Sequence, residues 1–218
     1  MIMGYYVDKW SSYYKPFYKK LNELLDDGRI DVSNKPILYS SCCVADRAMM
    51  DIDYYFKVNA CTRESFVYLI RNIDFVVNSI IALNENLGFI PDKKNGGKLR
   101  ESFDINDHKT IEDFRTLRSM VIAHPVDTHF KNDKGERSIV YLEDVYPMRG
   151  PNALKLFHNE VSEDDYLLQK GDPNSEECMS FYEPLLIDRD IKPVIEALYR
   201  GLDRLTSRLD DSSMEILF

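Results

Sequence analysis

Apolar residues recur at the three- and four-residue spacing of amphipathic helices through the first half of the chain and again near its end. The pattern predicts five helices, at about Tyr13–Leu25, Ser41–Val58, Thr62–Leu87, Asn106–His124 and Ile191–Leu209. The third is apolar over most of its circumference, which predicts a position at the centre of a helical bundle.

Several residues mark where these helices begin and end. Thr62 is the predicted N-cap of the third helix, and Asn106 or Asp107 that of the fourth. Gly28 and Gly88 are expected to end the first and third helices, because glycine adopts the left-handed conformation that closes a helix. A connector is predicted at Asn34–Pro36 and a polar, glycine-rich loop at Pro91–Gly97. The second helix is expected to pack through one face, formed by Val44, Ala48, Ile52 and Tyr55.

The pattern changes between the fourth and the last helix, where short stretches rich in Val, Ile, Tyr, Leu and Phe alternate with turn-forming residues. These stretches are Arg137–Val145, Ala153–His158, Asp165–Gln169 and Met179–Leu186. The fold class predicted is mainly α (α+β): a helical bundle with a small antiparallel β-rich insertion before the last helix. We expect a single domain, 1–218, with a helical core at 1–130 and 188–212 and the insertion at about 131–187.

Composition and charge narrow the class of protein. The 218 residues are 44% hydrophobic and 30% charged, enough for a core and a solvated surface. No apolar run is long enough to cross a bilayer, and the start lacks the order of a secretory signal. The net charge of −9 disfavours a broad nucleic-acid surface. The cysteines show no C-x-x-C spacing and are expected to be reduced, buried thiols of a cytoplasmic protein: Cys42, Cys43, Cys61 and Cys178.

The fourth predicted helix carries the strongest candidate for chemistry. Arg118 and His124 flank its expected buried stripe on opposite shoulders, and Pro125 closes the helix. The stripe consists of Ile111, Phe114, Leu117 and Val121. An arginine can hold the non-bridging oxygens of a phosphodiester, and a histidine can take or give a proton near neutral pH. The pair therefore suits metal-independent phosphodiester cleavage, with Arg118 as phosphate clamp and His124 as acid or base.

This segment resembles the R-x(4–6)-H motif of the HEPN superfamily, all-α proteins that include metal-independent RNases of toxin–antitoxin, CRISPR and phage-defence systems. The resemblance implies that Arg118 and His124 are catalytic and that the active site forms at the interface of a homodimer. It implies no cofactor and no metal. The sequence departs from the family pattern at Ser119, where a polar Asn, Asp or His is frequent, and after His124, where the tyrosine of an H-x-Y motif is absent. Candidate substrate-binding residues are Ser119, Arg115, Lys98 and Arg100.

Two other interpretations stay open on the sequence alone. Arg118 and His124 can be structural, with Arg118 paired to an internal carboxylate such as Asp74. In the first interpretation the chain is a non-catalytic helical module of the same architecture, for interaction or nucleotide sensing. In the second it is an unrelated helical protein in which Arg118 belongs to an ion pair of the core. The expected partners are a second copy of the chain, an RNA substrate, and an antitoxin or other protein, with no membrane. His124, Asp127 and His129 define no fixed metal geometry, because Pro125 interrupts the helix.

Overall fold

Six helices and four strands make up the described parts of the chain. The computed structural model describes residues 4–58, 62–90, 95–119, 128–131, 137–147, 153–162, 179–186 and 190–211. The helices are α1 (Tyr5–Asp26), α2 (Lys35–Val58), α3 (Arg63–Asn86), α4 (Asn95–Ser102), α5 (Ile105–Arg118) and α6 (Lys192–Asp211). A short 3-10 helix, Val32–Asn34, precedes α2. The mainly helical class predicted from the sequence is confirmed.

Helix α3 is buried on most of its sides, as its apolar circumference predicts. The buried side chains of this helix include Phe66, Leu69, Ile70, Ile73, Val76, Val77, Ile80, Ile81 and Leu83. By length and composition alone its segment Glu64–Asn86 is apolar enough to cross a membrane, contrary to the expectation from the sequence. Because 67% of the qualifying window is buried inside the protein, α3 has the properties of a core helix.

The strands are β1 (Thr128–Lys131), β2 (Arg137–Pro147), β3 (Ala153–Ser162) and β4 (Met179–Leu186). Their backbones pair antiparallel in the order β1-β2-β3-β4, with Tyr141 opposite Asn159 and Phe157 opposite Tyr182. The predicted strand at Asp165–Gln169 lies outside the described residues. Since these strands are described by their backbone only, a β-rich insertion that packs as a unit stays a prediction.

The chain divides into two compact units. The helical unit contains Met1–Val58, Asn72–Glu112 and Pro193–Phe218, and the second unit contains Asn59–Arg71 and Asp113–Lys192. The predicted organisation, a single domain with a helical core at 1–130 and 188–212 and an insertion at 131–187, stays a prediction.

Within the helical unit, polar side chains connect α6 to α1, α3 and α5. The bonds are those of Lys9 with Glu196, Asn84 with Arg208, and Asp107 with Arg200. The last is the most extensive: Arg200 donates from Nε to Asp107 Oδ2 at 2.9 Å and from Nη2 to Oδ1 at 2.6 Å. Asp107 is buried, so this two-point contact supplies the hydrogen bonds its carboxylate needs away from water. The same bond raises the pKa of Arg200.

The predicted ends of α3 and α1 are confirmed by their hydrogen bonds and dihedral angles. The Thr62 hydroxyl accepts the backbone N–H of Ser65 at 3.1 Å, and the Ser65 hydroxyl accepts that of Thr62 at 2.9 Å. The two residues therefore cap α3 reciprocally. Gly28 and Gly88 have φ angles of 68° and 76°, the left-handed conformation expected after a helix.

The predicted cap of α5 is wrong. Asp104 caps this helix, because its Oδ1 accepts the backbone N–H groups of Asn106 at 3.1 Å and of Asp107 at 3.0 Å. Asn106 and Asp107 are instead inside the first turn of α5, where the Asp107 carboxylate contacts Arg200 rather than its own backbone.

Three element boundaries also differ from the prediction. Helix α1 begins at Tyr5, because the buried residues Tyr6 and Trp10 extend the apolar repeat towards the N-terminus. Pro16 lies inside this helix. Helix α2 begins at Lys35, so the predicted connector Asn34–Pro36 is partly its first turn, where proline is tolerated. The predicted loop Pro91–Gly97 overlaps the first turn of α4, which the sequence pattern did not indicate.

Two burial predictions within α2 are wrong. Val44 is 41% exposed, whereas Ala48, Ile52 and Tyr55 are buried as predicted. Of the cysteines predicted to be buried, Cys42 is buried and Cys43 is exposed. Burial raises the pKa of the Cys42 thiol to about 12, so this cysteine is protonated and unreactive at neutral pH.

Helix α6 is closely packed at Gly201. A Cβ atom at this position would lie 2.7 Å from Cε1 of Phe103 and 3.5 Å from Cδ1 of Ile80. We expect Gly201→Ala to lower the free energy of unfolding by about 1–2 kcal/mol, because overpacking outweighs the better helix propensity of alanine. This loss of stability is measured by urea unfolding followed by circular dichroism. The penalty should shrink in a Phe103→Leu background, and an equal penalty in both backgrounds would show that Phe103 is not the obstacle.

Removing the cap of α5 should also cost stability. We expect Asp104→Ala to lower the free energy of unfolding by about 1 kcal/mol, because two backbone N–H groups lose their acceptor. Asp203→Ala is the matched control, since it removes the same charge from an exposed interior position of α6 and should change stability by less than about 0.5 kcal/mol. Equal losses in the two variants would mean that the effect comes from charge and not from capping.

Candidate functional site

Helix α5 positions the candidate site. It begins at the Asp104 cap and buries Ile111, Phe114 and Leu117, the first three residues of the predicted stripe. The fourth, Val121, lies outside the described residues. The described stripe therefore has the helical spacing expected of α5, and it fixes which side of the helix faces the protein interior.

Arg118 is the last residue of α5 and follows the buried Leu117 directly. Its side chain is half-buried, and so is that of Ser119. Arg118 and Arg115 each interact with another group of the chain. The placement on the shoulder of the stripe agrees with the prediction for Arg118.

His124 and the predicted continuation of the helix to Pro125 lie outside the described residues. The separation of Arg118 and His124 is therefore a prediction from helical geometry: six residues correspond to about 9 Å along the helix axis.

The end of α5 has an electrostatic preference of its own. Arg115 and Arg118 both lie in its last turn, and the C-terminal end of a helix carries partial negative charge. This charge stabilises guanidinium groups whether or not they bind a substrate. The position of the two arginines is consequently favourable for the fold, and by itself it does not distinguish a catalytic from a structural role.

The other candidate substrate-binding residues lie on α4, in the helical unit. Lys98 is half-buried and forms an ion pair with Glu85 of α3. Its charge is already compensated, which makes Lys98 a weaker phosphate ligand than the sequence suggested. Arg100 is exposed in the last turn of α4.

A buried acidic group of α2, close to the start of α1, was not predicted from the sequence. Asp53 is 3% exposed, accepts the backbone N–H of Tyr6 at 3.1 Å and contacts the Lys57 ammonium at 2.6 Å. The Tyr199 hydroxyl donates to the carbonyl oxygen of Tyr6 at 3.2 Å, and burial raises the pKa of that hydroxyl. The four-residue spacing of Asp53 and Lys57 on one helix was the available signal. Because these groups bond to one another, we interpret the cluster as a structural tie between α1, α2 and α6.

The described ranges contain no candidate metal site. No group of three or more histidine, cysteine, aspartate or glutamate side chains within them is arranged to hold an ion. His108 is half-buried, and its Nδ1 is 4.0 Å from the Glu112 carboxylate on the same helix. Asp127 and the side chain of His129 are outside the described set.

Comparison with known proteins gives no relative: no protein-family model, no curated protein and no solved structure matches the chain. The HEPN resemblance thus depends on the Arg118–His124 spacing and on its helical setting, and it stays a prediction.

Proposed function

We propose that the chain is a HEPN-like, metal-independent endoribonuclease that acts in a bacterial toxin–antitoxin or phage-defence context. Arg118 and His124 are its catalytic pair. The observation that carries the proposal is the position of Arg118: it is only half-buried, directly after the buried Leu117, at the end of the helix that contains the motif. A half-buried guanidinium at the end of a helix can contact a phosphate without a change in the helix.

The proposed reaction needs a base, an acid and a cation. The His124 imidazole takes the proton of a ribose 2′-hydroxyl, and the 2′-oxygen attacks the adjacent phosphorus. The bond from phosphorus to the 5′-oxygen breaks, and that oxygen leaves with a proton from a second imidazole. Arg118 stabilises the negative charge on the non-bridging oxygens in the transition state. The products are a 2′,3′-cyclic phosphate and a 5′-hydroxyl.

One imidazole cannot be base and acid in the same step, so the proposal includes a homodimer in which His124 of the partner subunit supplies the second. RNA is the substrate, with Ser119 and Arg115 as neighbouring binding residues and Lys98 and Arg100 as further candidates. The net charge of −9 restricts RNA contact to a locally basic surface. An antitoxin or another protein is a proposed partner, the proposed location is the cytoplasm, and β1–β4 form a β-rich insertion before α6.

A non-catalytic module for interaction or nucleotide sensing is the second candidate. It is favoured by the interaction that already engages Arg118 and by the helix-end charge that stabilises an arginine there. In that case Arg118 and His124 maintain the fold, and their removal lowers stability without changing any activity.

The ribonuclease proposal is tested with purified protein, a structured RNA and excess EDTA. We expect wild type to cleave the RNA and leave 2′,3′-cyclic phosphate ends. His124→Ala should lower the rate by about 100-fold or more, because the proton transfer loses its base. Arg118→Ala should lower it by about 100-fold through lost charge stabilisation, and Arg118→Lys should restore part of the rate.

His108→Ala is the control, because it removes a half-buried histidine from the first turns of the same helix. It should retain the wild-type rate. Thermal unfolding of each variant separates the two candidate functions. Absence of cleavage by wild type in EDTA, together with a lower melting temperature for His124→Ala, would reject the ribonuclease and favour the structural role.

A further inference from the structure

Two half-buried arginines lie one turn apart on α6, beside the end of α3. Arg204 and Arg208 are four residues apart, so they are on the same side of α6. Arg208 donates from Nη1 to Oδ1 of Asn84 at 2.8 Å, and this acceptor is an amide oxygen without a formal charge. Arg204 forms no hydrogen bond or ion pair with any residue in the described part of the chain. Within these residues, neither guanidinium is bonded to a carboxylate.

The end of α3 holds the Arg208 guanidinium in place. Gly88 adopts the left-handed conformation, and the backbone N–H of Phe89 donates to the carbonyl oxygen of Asn84 at 3.0 Å, so the chain turns back where α3 ends. The guanidinium carbon of Arg208 lies 5.6 Å from the centre of the Phe89 ring. The Asn84 side chain is 1% exposed, and its Nδ2 donates to the carbonyl oxygen of Ile80 at 2.9 Å. Arg208 therefore has a defined position before any ligand binds.

The two guanidinium groups repel each other. Partial burial lowers the pKa of Arg208 and the charge of Arg204 lowers it further, whereas the carboxylate of Glu101 acts in the opposite direction. The C-terminal end of α6 stabilises the charge of Arg208, which lies in the last turn. Arg204 lies one turn earlier, where this effect is weaker. The pair is thus a local concentration of positive charge in a chain with 37 acidic residues and only 28 lysines and arginines.

Together the two side chains have the donors that a phosphate group requires. A guanidinium has five N–H donors, of which Arg208 uses one on Asn84 and Arg204 uses none within the described residues. Each guanidinium can give a parallel pair of hydrogen bonds to one tetrahedral anion. A phosphate monoester carries about −1.5 to −2 charges at pH 7, which matches two arginines better than the single charge of a phosphodiester.

We propose that Arg204 and Arg208 form a binding site for the phosphoryl dianion of a small phosphate monoester or of free phosphate. The bound anion compensates both positive charges and offsets the repulsion between them. Asn84 and Phe89 are positioning residues that hold Arg208 for this contact. All four residues belong to the helical unit, whereas Arg118 belongs to the second unit. The inference therefore does not depend on the proposed ribonuclease activity.

NMR of the full chain tests the site, because the Nε–H groups of arginines give signals of their own. Methyl phosphate at about pH 7.5 and constant ionic strength should shift the signals of Arg204 and Arg208 with a Kd of about 1 mM. Dimethyl phosphate, a diester with one charge, should bind about tenfold more weakly or worse. Inorganic phosphate is titrated in parallel, and the tighter of the two dianions identifies the source of the phosphoryl group.

The charge of the ligand predicts the pH dependence. The second pKa of a phosphate monoester is about 6, so methyl phosphate loses one of its two charges on acidification. Between about pH 7.5 and pH 5 its Kd should rise by about tenfold, because the fraction of dianion falls by about that factor. The Kd of dimethyl phosphate should not change in this way, since the diester does not titrate in this range.

Arg204→Gln is the decisive variant, since it removes a charge without breaking a hydrogen bond to a described residue. It should raise the Kd for methyl phosphate by about tenfold or more. Arg47→Gln, at a position of α2 whose side chain is 76% exposed, is the matched control and should leave the Kd unchanged. Without ligand, Arg204→Gln should melt at or above the wild-type temperature, because the repulsion is relieved. Methyl phosphate at about 10 mM should raise the melting temperature of wild type by about 3 °C and that of Arg204→Gln by much less.

Three results would overturn the inference. The first is that methyl phosphate leaves the Nε–H signals of Arg204 and Arg208 unshifted. The second is that dimethyl phosphate binds as tightly as methyl phosphate, which would indicate a nucleic-acid backbone as the ligand. The third is that Arg204→Gln, while folded, binds methyl phosphate as tightly as wild type does.

Discussion

Helix α3 is apolar on most sides, and a segment with this property must be enclosed before the chain can be stable in water. Its length and hydropathy would suffice to cross a membrane, yet two-thirds of it is buried by the protein itself. In the helical unit, α6 approaches α3 at Gly201, where a Cβ atom would lie in van der Waals contact with Ile80 and only 2.7 Å from Phe103. Arg208 reinforces the approach by donating to Asn84 of α3. The contacts of α6 with Ile80 and Asn84 therefore help to enclose α3, whereas the ring of Phe103 is what requires a glycine at position 201.

The sequence was informative where a single physical signal decides the structure. The reciprocal cap of Thr62 and the left-handed Gly88 follow from local hydrogen bonding and sterics, and both are as predicted. It was misleading where tertiary contacts decide. Helix α1 was predicted to begin at Tyr13, but burial of Tyr6 and Trp10 extends it to Tyr5. The Asp107 carboxylate looked like a cap because its partner, Arg200, is distant in sequence.

Only part of the candidate site could be predicted from the sequence. The buried stripe of α5 fixed the side of the helix on which Arg118 lies, and periodicity alone was enough to find it. The ion pairing of the other candidate cations could not be predicted from the sequence. Lys98 is paired with Glu85 across two helices, a contact that no local pattern indicates. Val44 shows the reverse case, since a hydrophobic residue predicted to be in the core is exposed on the outward side of α2.

The proposed ribonuclease activity depends most on whether His124 offers an accessible imidazole beside the Arg118 guanidinium. Nitrogen-15 NMR of the His124 ring, titrated with pH in the absence and presence of a non-cleavable 2′-O-methyl RNA dinucleotide, tests this directly. The account predicts an imidazole that titrates near neutral pH and whose pKa rises when the phosphate binds, because the bound anion favours the protonated ring. A His124 ring that does not titrate across the neutral range, or that is indifferent to the dinucleotide while the protein remains folded, would contradict it.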